Sequence, residues 1–430
     1  MNRDFFSPHP GSMDEVRDSA EPLVLHRAAW VVPVNGPPIE DGALVTNRGS
    51  ILEVGKYRDL KVFNGSDVKA IDHGLVALMP CLVNVHTHLE LSLLQGKISL
   101  PQPGFSAWLQ QVFSHRVSNS QADELTGFSC GQQQLSESGT GLYGDITNGA
   151  CLLPDCENAF PVRQTFLEVL GFDVEDLQSV AGSEAFNVIA GHGGKFSIAA
   201  HACYSTSAAL IQQAKEWCRT RHLPFSIHVA EHPAEIEFLQ NGSGYCRTLL
   251  ESLGKWVVDW TPPGKTPVEY LDALGALDQG TILVHAVHMR ESDWHIVRQR
   301  NCFVCFCPRS NQNLNVGRPS MGKSIRFGAA TCLGTDSLAS NEDLNLFAEA
   351  HHVLGYHTDI SPDALLFMAT LGGARALQQH HRFGSLERGK QAACLSVSFA
   401  YLPPLSRLSE EIISRGNQGE WKWVNYPQVS

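Results

Sequence analysis

The sequence predicts an α/β fold: a (β/α)8 TIM barrel with a small β-sandwich domain formed from both chain ends. From Leu78 onward, apolar strand-like runs alternate with longer helical stretches, which is the pattern of parallel βα units. The segments 23–71 and 384–399 instead show short alternating runs interrupted by Gly, Pro and Asn, which is typical of small β-sheets. The expected parts are the N-terminal portion of the small domain at 22–76, the barrel at 77–380 and the C-terminal return to the small domain at 381–430.

The candidate barrel strands are eight apolar runs that follow one another along the chain. Most of the stretches between them have the pattern of amphipathic helices. Parallel strands need such helices as their crossover connections. Eight parallel strands in one series favour a (β/α)8 barrel. The runs are Leu78–His86, Leu142–Ile146, Gln164–Val169, Phe196–Ala200, Phe225–Val229, Ile282–Ala286, Cys302–Phe306 and Ala330–Gly334.

The composition limits the class of protein. With 430 residues, of which 43% are hydrophobic, the chain can bury a large core. Its formal net charge of -12, without a basic cluster, argues against nucleic acid as a partner. Because we find neither an apolar signal region nor a membrane-spanning run, we expect no membrane partner and a cytoplasmic location. The 12 Cys are irregularly spaced and indicate reduced thiols. The composition leaves a homo-oligomer open.

Two patterns that look functional have a better structural explanation. Gly139, Gly141 and Gly144 have the spacing of a dinucleotide-binding fingerprint. They lead into a strand, however, whereas a phosphate site needs a turn from a strand into a helix. The cysteines within 302–307 alternate with apolar residues and have no second Cys pair at zinc-finger spacing, so we expect them to pack in the core.

The residues that predict chemistry lie where the strand runs end. His86 and His88 close the first run, and a two-residue spacing on a strand points both imidazoles to one face, where they can share a metal. Active sites of such barrels lie at the carboxyl ends of the strands. Further ligands or proton carriers end the fifth, sixth and eighth runs: His228 with Glu231, His285 with His288, and Asp336. The sequence therefore predicts a metal site at this end of the barrel.

The segments around these residues resemble motifs of the amidohydrolase superfamily, in its deaminase and chlorohydrolase branch. The motifs occur in the expected order, and the resemblance covers nearly the whole chain. The chain departs from the usual pattern at Cys81, where a small residue is common, and at Ala393, where Asp is frequent. The matching segments are Met79–Glu90, His228–Glu231, Val284–His288, Cys307–Asn311 and Gly334–Ser337.

The resemblance implies one divalent metal ion, usually zinc or iron, with zinc expected here. The implied ligands are His86, His88, His228 and Asp336. Such a metal lowers the pKa of a bound water toward about 7. Asp336 would accept a proton from that water, Glu231 would carry it to the substrate, and His285 would polarise the reacting centre. The role of His288 is left open.

The fourth run bears on the number of metal ions. Binuclear members of the superfamily carry a carboxylated lysine at this strand end, but here the strand end has His201. The nearest lysine, Lys195, lies roughly 20 Å away along an extended strand. One metal is therefore expected, and by the resemblance His201 contacts the substrate.

The implied activity is hydrolytic deamination of an amino-substituted nitrogen heterocycle. Adenine nucleosides such as aminodeoxyfutalosine or S-adenosylhomocysteine are the expected substrates, with Trp108 and Phe105 as apolar walls of the pocket. Arg309 either binds a substrate carboxylate or serves as a structural ion-pair partner. Other aminohydrolase or chlorohydrolase activities, on guanine, cytosine or triazines, remain alternatives. A non-catalytic scaffold is disfavoured because every ligand and proton carrier is retained.

Overall fold

The computed structural model describes residues 23–60, 68–118, 120–148, 160–180, 196–357 and 359–424. Within these residues the strands form two sheets, one of seven strands and one of eight. Because β14 pairs antiparallel with β5, both chain ends contribute to the seven-stranded sheet, as predicted. Its strands are β1 (Leu23–Val31), β2 (Ile39–Asn47), β3 (Ser50–Lys56), β4 (Val68–Asp72), β5 (Val76–Pro80), β14 (Cys394–Ser398) and β15 (Trp421–Trp423).

The eight-stranded sheet consists of parallel strands that neighbour one another in chain order. Each of the predicted runs overlaps one of these strands, which confirms the (β/α)8 barrel. The strands are β6 (Leu82–Thr87), β7 (Thr140–Thr147), β8 (Val162–Val169), β9 (Ser197–Ala202), β10 (Phe225–Val229), β11 (Thr281–His285), β12 (Phe303–Phe306) and β13 (Ala330–Leu333).

The first predicted run proves to be two strands that belong to different sheets. The Cys81 N–H donates to the carbonyl of Ala393 in the small sheet, at 2.9 Å, whereas the Leu82 N–H donates to the carbonyl of Gly139 beside the barrel, also at 2.9 Å. The backbone therefore changes sheets at Cys81. Both strands are fully buried, so the apolar pattern alone does not reveal the break.

Helices connect the barrel strands and pack on their outer faces. Short 3₁₀ segments lie at Leu89–Leu94 and Leu405–Arg407. The α-helices are α1 (Tyr57–Leu60), α2 (Phe105–Ser118), α3 (Gln121–Glu137), α4 (Leu177–Val180), α5 (Ala208–Thr220), α6 (Pro233–Asn241), α7 (Tyr245–Ser252), α8 (Pro267–Ala273), α9 (Glu291–Arg300), α10 (Pro308–Asn313), α11 (Met321–Arg326), α12 (Leu346–Leu354), α13 (Pro362–Phe367), α14 (Gly373–Ala376) and α15 (Leu408–Asn417).

The helical segment at 362–376 is divided. It begins with Ser361, whose side chain accepts the Ala364 N–H, and a π-helical turn at Met368–Gly372 separates α13 from α14. A Cβ atom at Gly373 would lie 2.8 Å from the carbonyl oxygen of Val83. The absence of a side chain there lets this helix lie directly against β6.

At the carboxyl end of the barrel, hydrogen bonds join the first strand, β6, to the segment that follows the last strand, β13. The Asn84 side-chain Nδ2–H donates to the Thr335 hydroxyl at 2.8 Å, and the Thr335 backbone N–H donates back to the Asn84 side-chain Oδ1 atom at 3.2 Å. The Asp336 N–H donates to the His86 carbonyl at 3.0 Å. These contacts place His86 and Asp336 side by side.

The barrel interior is apolar and tightly filled. Val83, Phe166, Ile282 and Cys305 belong to one buried cluster inside the strands. Every cysteine that the structure describes is a free thiol, and all but Cys130 are buried. Among the described residues, no helix is both long and apolar enough to cross a bilayer.

Close backbone packing at Gly144 gives a test of the barrel. A Cβ atom at this position would lie 2.3 Å from the carbonyl oxygen of Val85, next to His86. We expect Gly144→Ala to push β6 away from β7 and to lower the free energy of unfolding by about 1–3 kcal/mol, measured by urea unfolding. Gly36→Ala is the control, because no atom lies within 4 Å of its added Cβ. Equal stability of the two variants would contradict the inferred packing.

Candidate metal centre and active site

The first barrel strand delivers two imidazoles to the same point. His86 is buried near the end of β6, and His88 follows directly after the strand. Their Nε2 atoms lie 3.2 Å apart. The two-residue spacing thus produces the shared face that the sequence predicts.

Asp336 completes this group from the opposite side of the barrel closure. Its Oδ2 atom accepts hydrogen bonds from the hydroxyls of Ser310, at 2.7 Å, and Ser340, at 2.8 Å. Its Oδ1 atom lies 3.7 Å from Nε2 of both His86 and His88. One carboxylate oxygen is therefore held by the protein, and the other faces the histidine pair.

His228 is oriented by a hydrogen bond to the backbone of the neighbouring strand. Its Nδ1–H donates to the carbonyl of His201 at 2.7 Å, which leaves Nε2 without a proton in the neutral ring. The ring centroid of His228 lies 4.9 Å from that of His86. The sequence-predicted histidines of β6 and β10 therefore converge.

The ligand atoms of His86, His88 and Asp336 have separations that suit one divalent metal. Nitrogen ligands at 2.0–2.1 Å from a tetrahedral metal are separated by about 3.3 Å. The observed separations are 3.2 Å between the two nitrogens and 3.7 Å from each nitrogen to Asp336 Oδ1. Burial lowers the pKa of His86 well below its usual value and also lowers that of His228, so both rings are neutral and able to bind a metal.

The charge of Asp336 also suits a metal ligand. Burial raises the pKa of this carboxyl, but His88, His285 and the two serine hydroxyls outweigh burial and lower the pKa below its usual value. Asp336 is therefore ionised at neutral pH. One ring nitrogen from each of His86, His228 and His285 also lies within 4.8 Å of the other two.

His285 faces the same space but is held differently. The Asn311 side-chain amide donates to its Nδ1 atom at 2.9 Å, so the proton of the neutral ring resides on Nε2. That nitrogen lies 3.6 Å from Glu231 Oε1. Because burial lowers the pKa of His285 to about 3, this ring is a neutral hydrogen-bond donor at physiological pH.

Glu231 is a buried carboxyl that favours its protonated form. Burial raises its pKa well above the usual value, and the neighbouring acidic groups of Asp336 and Glu235 raise it further. A protonated carboxyl next to the His285 ring can give a proton to a bound molecule. A carboxyl with an ordinary pKa would be ionised at neutral pH and could not hold this proton.

The backbone at these strand ends is unusual. Ala230, His285, Ala286 and Asp336 adopt left-handed conformations, with φ values of 50°, 73°, 51° and 60°. Each such residue costs about 1–3 kcal/mol and persists only where the surrounding structure enforces it. The strain therefore concentrates where side chains must turn from the strand into the site.

A cavity of about 390 Å³ opens above the metal ligands. His201 and Trp108 both line it, as predicted from the sequence. The His201 Nδ1 atom lies 2.5 Å from the Ser205 hydroxyl, and the Trp108 indole N–H donates to the Ala339 carbonyl at 2.9 Å. The apolar wall includes Leu91, Phe105, Trp108, Leu109, Val112 and Phe172.

Arg309, which the sequence offers either as a contact for a substrate carboxylate or as an ion-pair partner, does not lie among these residues. It is absent from the cavity lining among the described residues. Its guanidinium lies 2.7 Å from Asp343, 2.8 Å from Glu342 and 3.9 Å from the buried Glu349. These three carboxylates satisfy the cation, so the ion-pair alternative accounts for its contacts.

His288, whose role was left open, also points away from the cavity. Its Nε2 atom lies 2.7 Å from the Val316 carbonyl, and its backbone N–H donates to the Ala230 carbonyl at 2.9 Å. His288 thus ties together the loops that follow β10 and β11. Lys195, the other residue considered from sequence, lies outside the described residues.

Sequence reasoning assigned no role to several residues that shape the site. Ser310, Ser340 and Asn311 orient Asp336 and His285, but a hydroxyl or amide in a turn carries no local signal of this kind. Glu168 is different, because it lies near the end of β8 and lines the cavity. The strand-end rule applied to β8 could have identified it.

Comparison with known proteins finds similar sequences and a similar fold. The chain is 29% identical over 333 residues to the aminodeoxyfutalosine deaminase of Deinococcus radiodurans, covering 73% of this chain and 76% of the relative. It is 26% identical over 414 residues to the 5-methylthioadenosine/S-adenosylhomocysteine deaminase of Thermodesulfovibrio yellowstonii, covering 90% and 88%. The crystal structure of a zinc-bound adenosine deaminase from Xanthomonas campestris superposes with a TM-score of 0.73 at 24% identity, covering 91% of this chain and 90% of that chain.

The family assignment rests on the match over the barrel. The sequence profile of the amidohydrolase family matches residues 77–411, which is most of the chain and includes every residue of the candidate metal centre. The matched segment contains the eight barrel strands and the described residues that line the cavity. The chain belongs to the amidohydrolase family.

Proposed function

We propose that this protein is a metal-dependent hydrolytic deaminase that replaces the amino group of an adenine nucleoside with water. The observation that carries the proposal is the position of the buried Glu231 carboxyl, whose Oε1 atom lies 3.6 Å from His285 Nε2 beside the candidate metal ligands, where burial raises its pKa well above the usual value. Deamination needs a proton donor of this kind, because an amino group leaves readily only after it gains a proton. The names of the relatives support the choice of substrate class.

In this proposal His86, His88, His228 and Asp336 hold one divalent metal. When bound, the metal would lower the pKa of a water molecule and so supply a nucleophile at neutral pH. The zinc in the similar adenosine deaminase structure supports zinc, with iron as the alternative. The free thiols of the described cysteines support a cytoplasmic location.

The protein side chains would handle the protons of the reaction. Glu231 would donate its proton to a ring nitrogen, and the proton that Asp336 takes from the attacking water would pass to the leaving amine. Glu231 would then regain a proton from the new hydroxyl as the carbonyl forms. Asp336, which is ionised, would accept a proton from the attacking water. The His285 Nε2–H would donate a hydrogen bond to the oxygen on the reacting carbon, because negative charge develops on that oxygen.

The cavity would select a flat heterocycle with a neutral or apolar substituent. Its volume of about 390 Å³ lies within the range of small-molecule sites. Apolar side chains of α2 form one wall, and His201 and Glu168 offer polar contacts near the metal ligands. The apolar wall excludes bulk water, which strengthens the hydrogen bonds of the reacting groups.

A substrate screen tests the proposed function. Purified, metal-loaded protein is incubated with adenine nucleosides, guanine, cytosine, pterins and an aminotriazine, and ammonia release is measured. We expect turnover of at least one adenine nucleoside, and Glu231→Gln should lower kcat by about 10²–10⁴-fold because the amide cannot carry the proton. Metal content should not change. A fully active Glu231→Gln protein, or no release from any adenine nucleoside, would contradict the proposal.

Removal of a ligand tests the metal assignment. We expect His86→Ala to contain far less than one equivalent of metal and to lose activity, because a tetrahedral site lacking one of its ligands binds metal weakly. Metal is measured by elemental analysis after dialysis. His351→Ala is the matched control, since His351 is exposed on α12. Full metal content in His86→Ala would show that the ligand set is wrong.

Substitution of Arg309 tests its structural role. Arg309→Met would leave the buried Glu349 without its cation, and we expect unfolding to become easier by about 3 kcal/mol. Burial already raises the pKa of Glu349 to about 7, and losing Arg309 raises it further. Since the unfolded chain releases this proton at lower pH, the loss of stability should grow from pH 6 to pH 8.

Thermal unfolding at both pH values measures this effect, with the exposed Arg219→Met as control. The KM values for a carboxylate-bearing adenine nucleoside and for adenosine should change equally in Arg309→Met. A selective rise in KM for the carboxylate-bearing substrate would restore the substrate-binding role of Arg309.

A further inference from the structure

We propose that Glu235 is a positioning residue, whose buried carboxyl holds the backbone turn that aims Glu231 into the cavity. The inference rests on the proposed function, in which Glu231 carries the protons of the reaction. Glu235 lies in the first turn of α6, four residues after Glu231, and its side chain is inaccessible to solvent. It does not line the cavity, so it would act through Glu231 and not on the substrate.

The contact that supports this role is made to the backbone of the proton carrier. The Glu235 Oε2 atom accepts the N–H of Glu231 at 3.1 Å. The Ala230 N–H also interacts with the same carboxyl. A side chain that accepts from two consecutive amides fixes the orientation of the peptide between them.

The turn held in this way is one that the backbone does not favour. Ala230 has a φ of 50°, in the left-handed region that a residue with a Cβ rarely adopts. From the other side, the His288 N–H donates to the Ala230 carbonyl at 2.9 Å. Hydrogen bonds thus hold the turn from both sides. Removing the Glu235 carboxyl would leave the buried Glu231 N–H without an acceptor.

The carboxyl of Glu235 has the properties of a neutral acceptor. Its Oε1 atom is buried and has no hydrogen-bond partner among the described residues, a costly state for an ionised oxygen. Burial raises the pKa of Glu235 to about 8, so the group is mostly protonated at neutral pH. The titratable groups that face it are Glu231, Cys203, Tyr204 and Cys246. A glutamine would preserve the same neutral acceptor.

Three variants of the full-length, metal-loaded protein test the inference. Glu235→Met fills a similar volume but offers no acceptor, Glu235→Gln keeps the acceptor, and Glu235→Ala covers the case in which the methionine side chain prevents folding. The control is Glu237→Ala, on the exposed face of the same helix, where the carboxylate accepts a hydrogen bond only from Ser243 among the described residues.

We expect Glu235→Met to lower kcat by roughly ten- to hundredfold, because a misplaced proton carrier reacts slowly. KM and metal content should stay near the parent values, since neither substrate nor metal contacts Glu235. Glu235→Gln should retain most of the parent kcat, and Glu237→Ala all of it. Parent-like kcat in Glu235→Met and Glu235→Ala, or equal losses in Glu235→Gln and Glu235→Met, would overturn the inference.

A crystal structure of the variants provides a readout that does not depend on activity. In Glu235→Met the distance from Glu231 Oε1 to His285 Nε2 should exceed the parent 3.6 Å, and in Glu235→Gln it should be unchanged. An unchanged distance in Glu235→Met would count against positioning even if the protein proved inactive. Absence of ammonia release by the parent protein would instead refute the proposed deaminase function and leave this structural test in force.

Discussion

The hydrogen bond that joins the segment after the last barrel strand to the first strand is the contact on which the candidate metal centre depends. The Asp336 N–H donates to the His86 carbonyl, and Asn84 and Thr335, 251 positions apart, pair beside it. Closure of the barrel therefore brings a carboxylate and two imidazoles within ligand distance of one another. Since the same closure buries the strand ends, the pKa of His86 lies well below its usual value, and the neutral imidazole is able to bind a metal.

Around this centre, three of the reactive side chains each have one atom engaged by the protein and one atom directed inward. His228 donates to a backbone carbonyl, His285 accepts from Asn311, and Asp336 accepts from two serine hydroxyls. These contacts determine which ring nitrogen carries the proton and which carboxylate oxygen is free to bind a metal. The left-handed residues at the strand ends are the conformational cost of turning those atoms inward.

Most of the fold could be predicted because barrel strands are buried on both faces and therefore appear as short apolar runs. The same property hid the change of sheets at Cys81, where two buried strands adjoin without a polar break. Strand β15, the short Trp421–Trp423, was not predicted. Its few residues carry no periodicity, and only its pairing with β14 defines it as a strand.

The sequence by itself determined which residues are the candidate ligands and proton carriers, because their spacing along strands and their positions at strand ends follow from local geometry. The tertiary structure alone decided what each of them touches. It paired Arg309 with three acidic side chains and placed Glu235 behind the backbone of Glu231. A hydrogen bond or ion pair between segments far apart in the chain depends on how those segments pack, and no local pattern of residues encodes that distance.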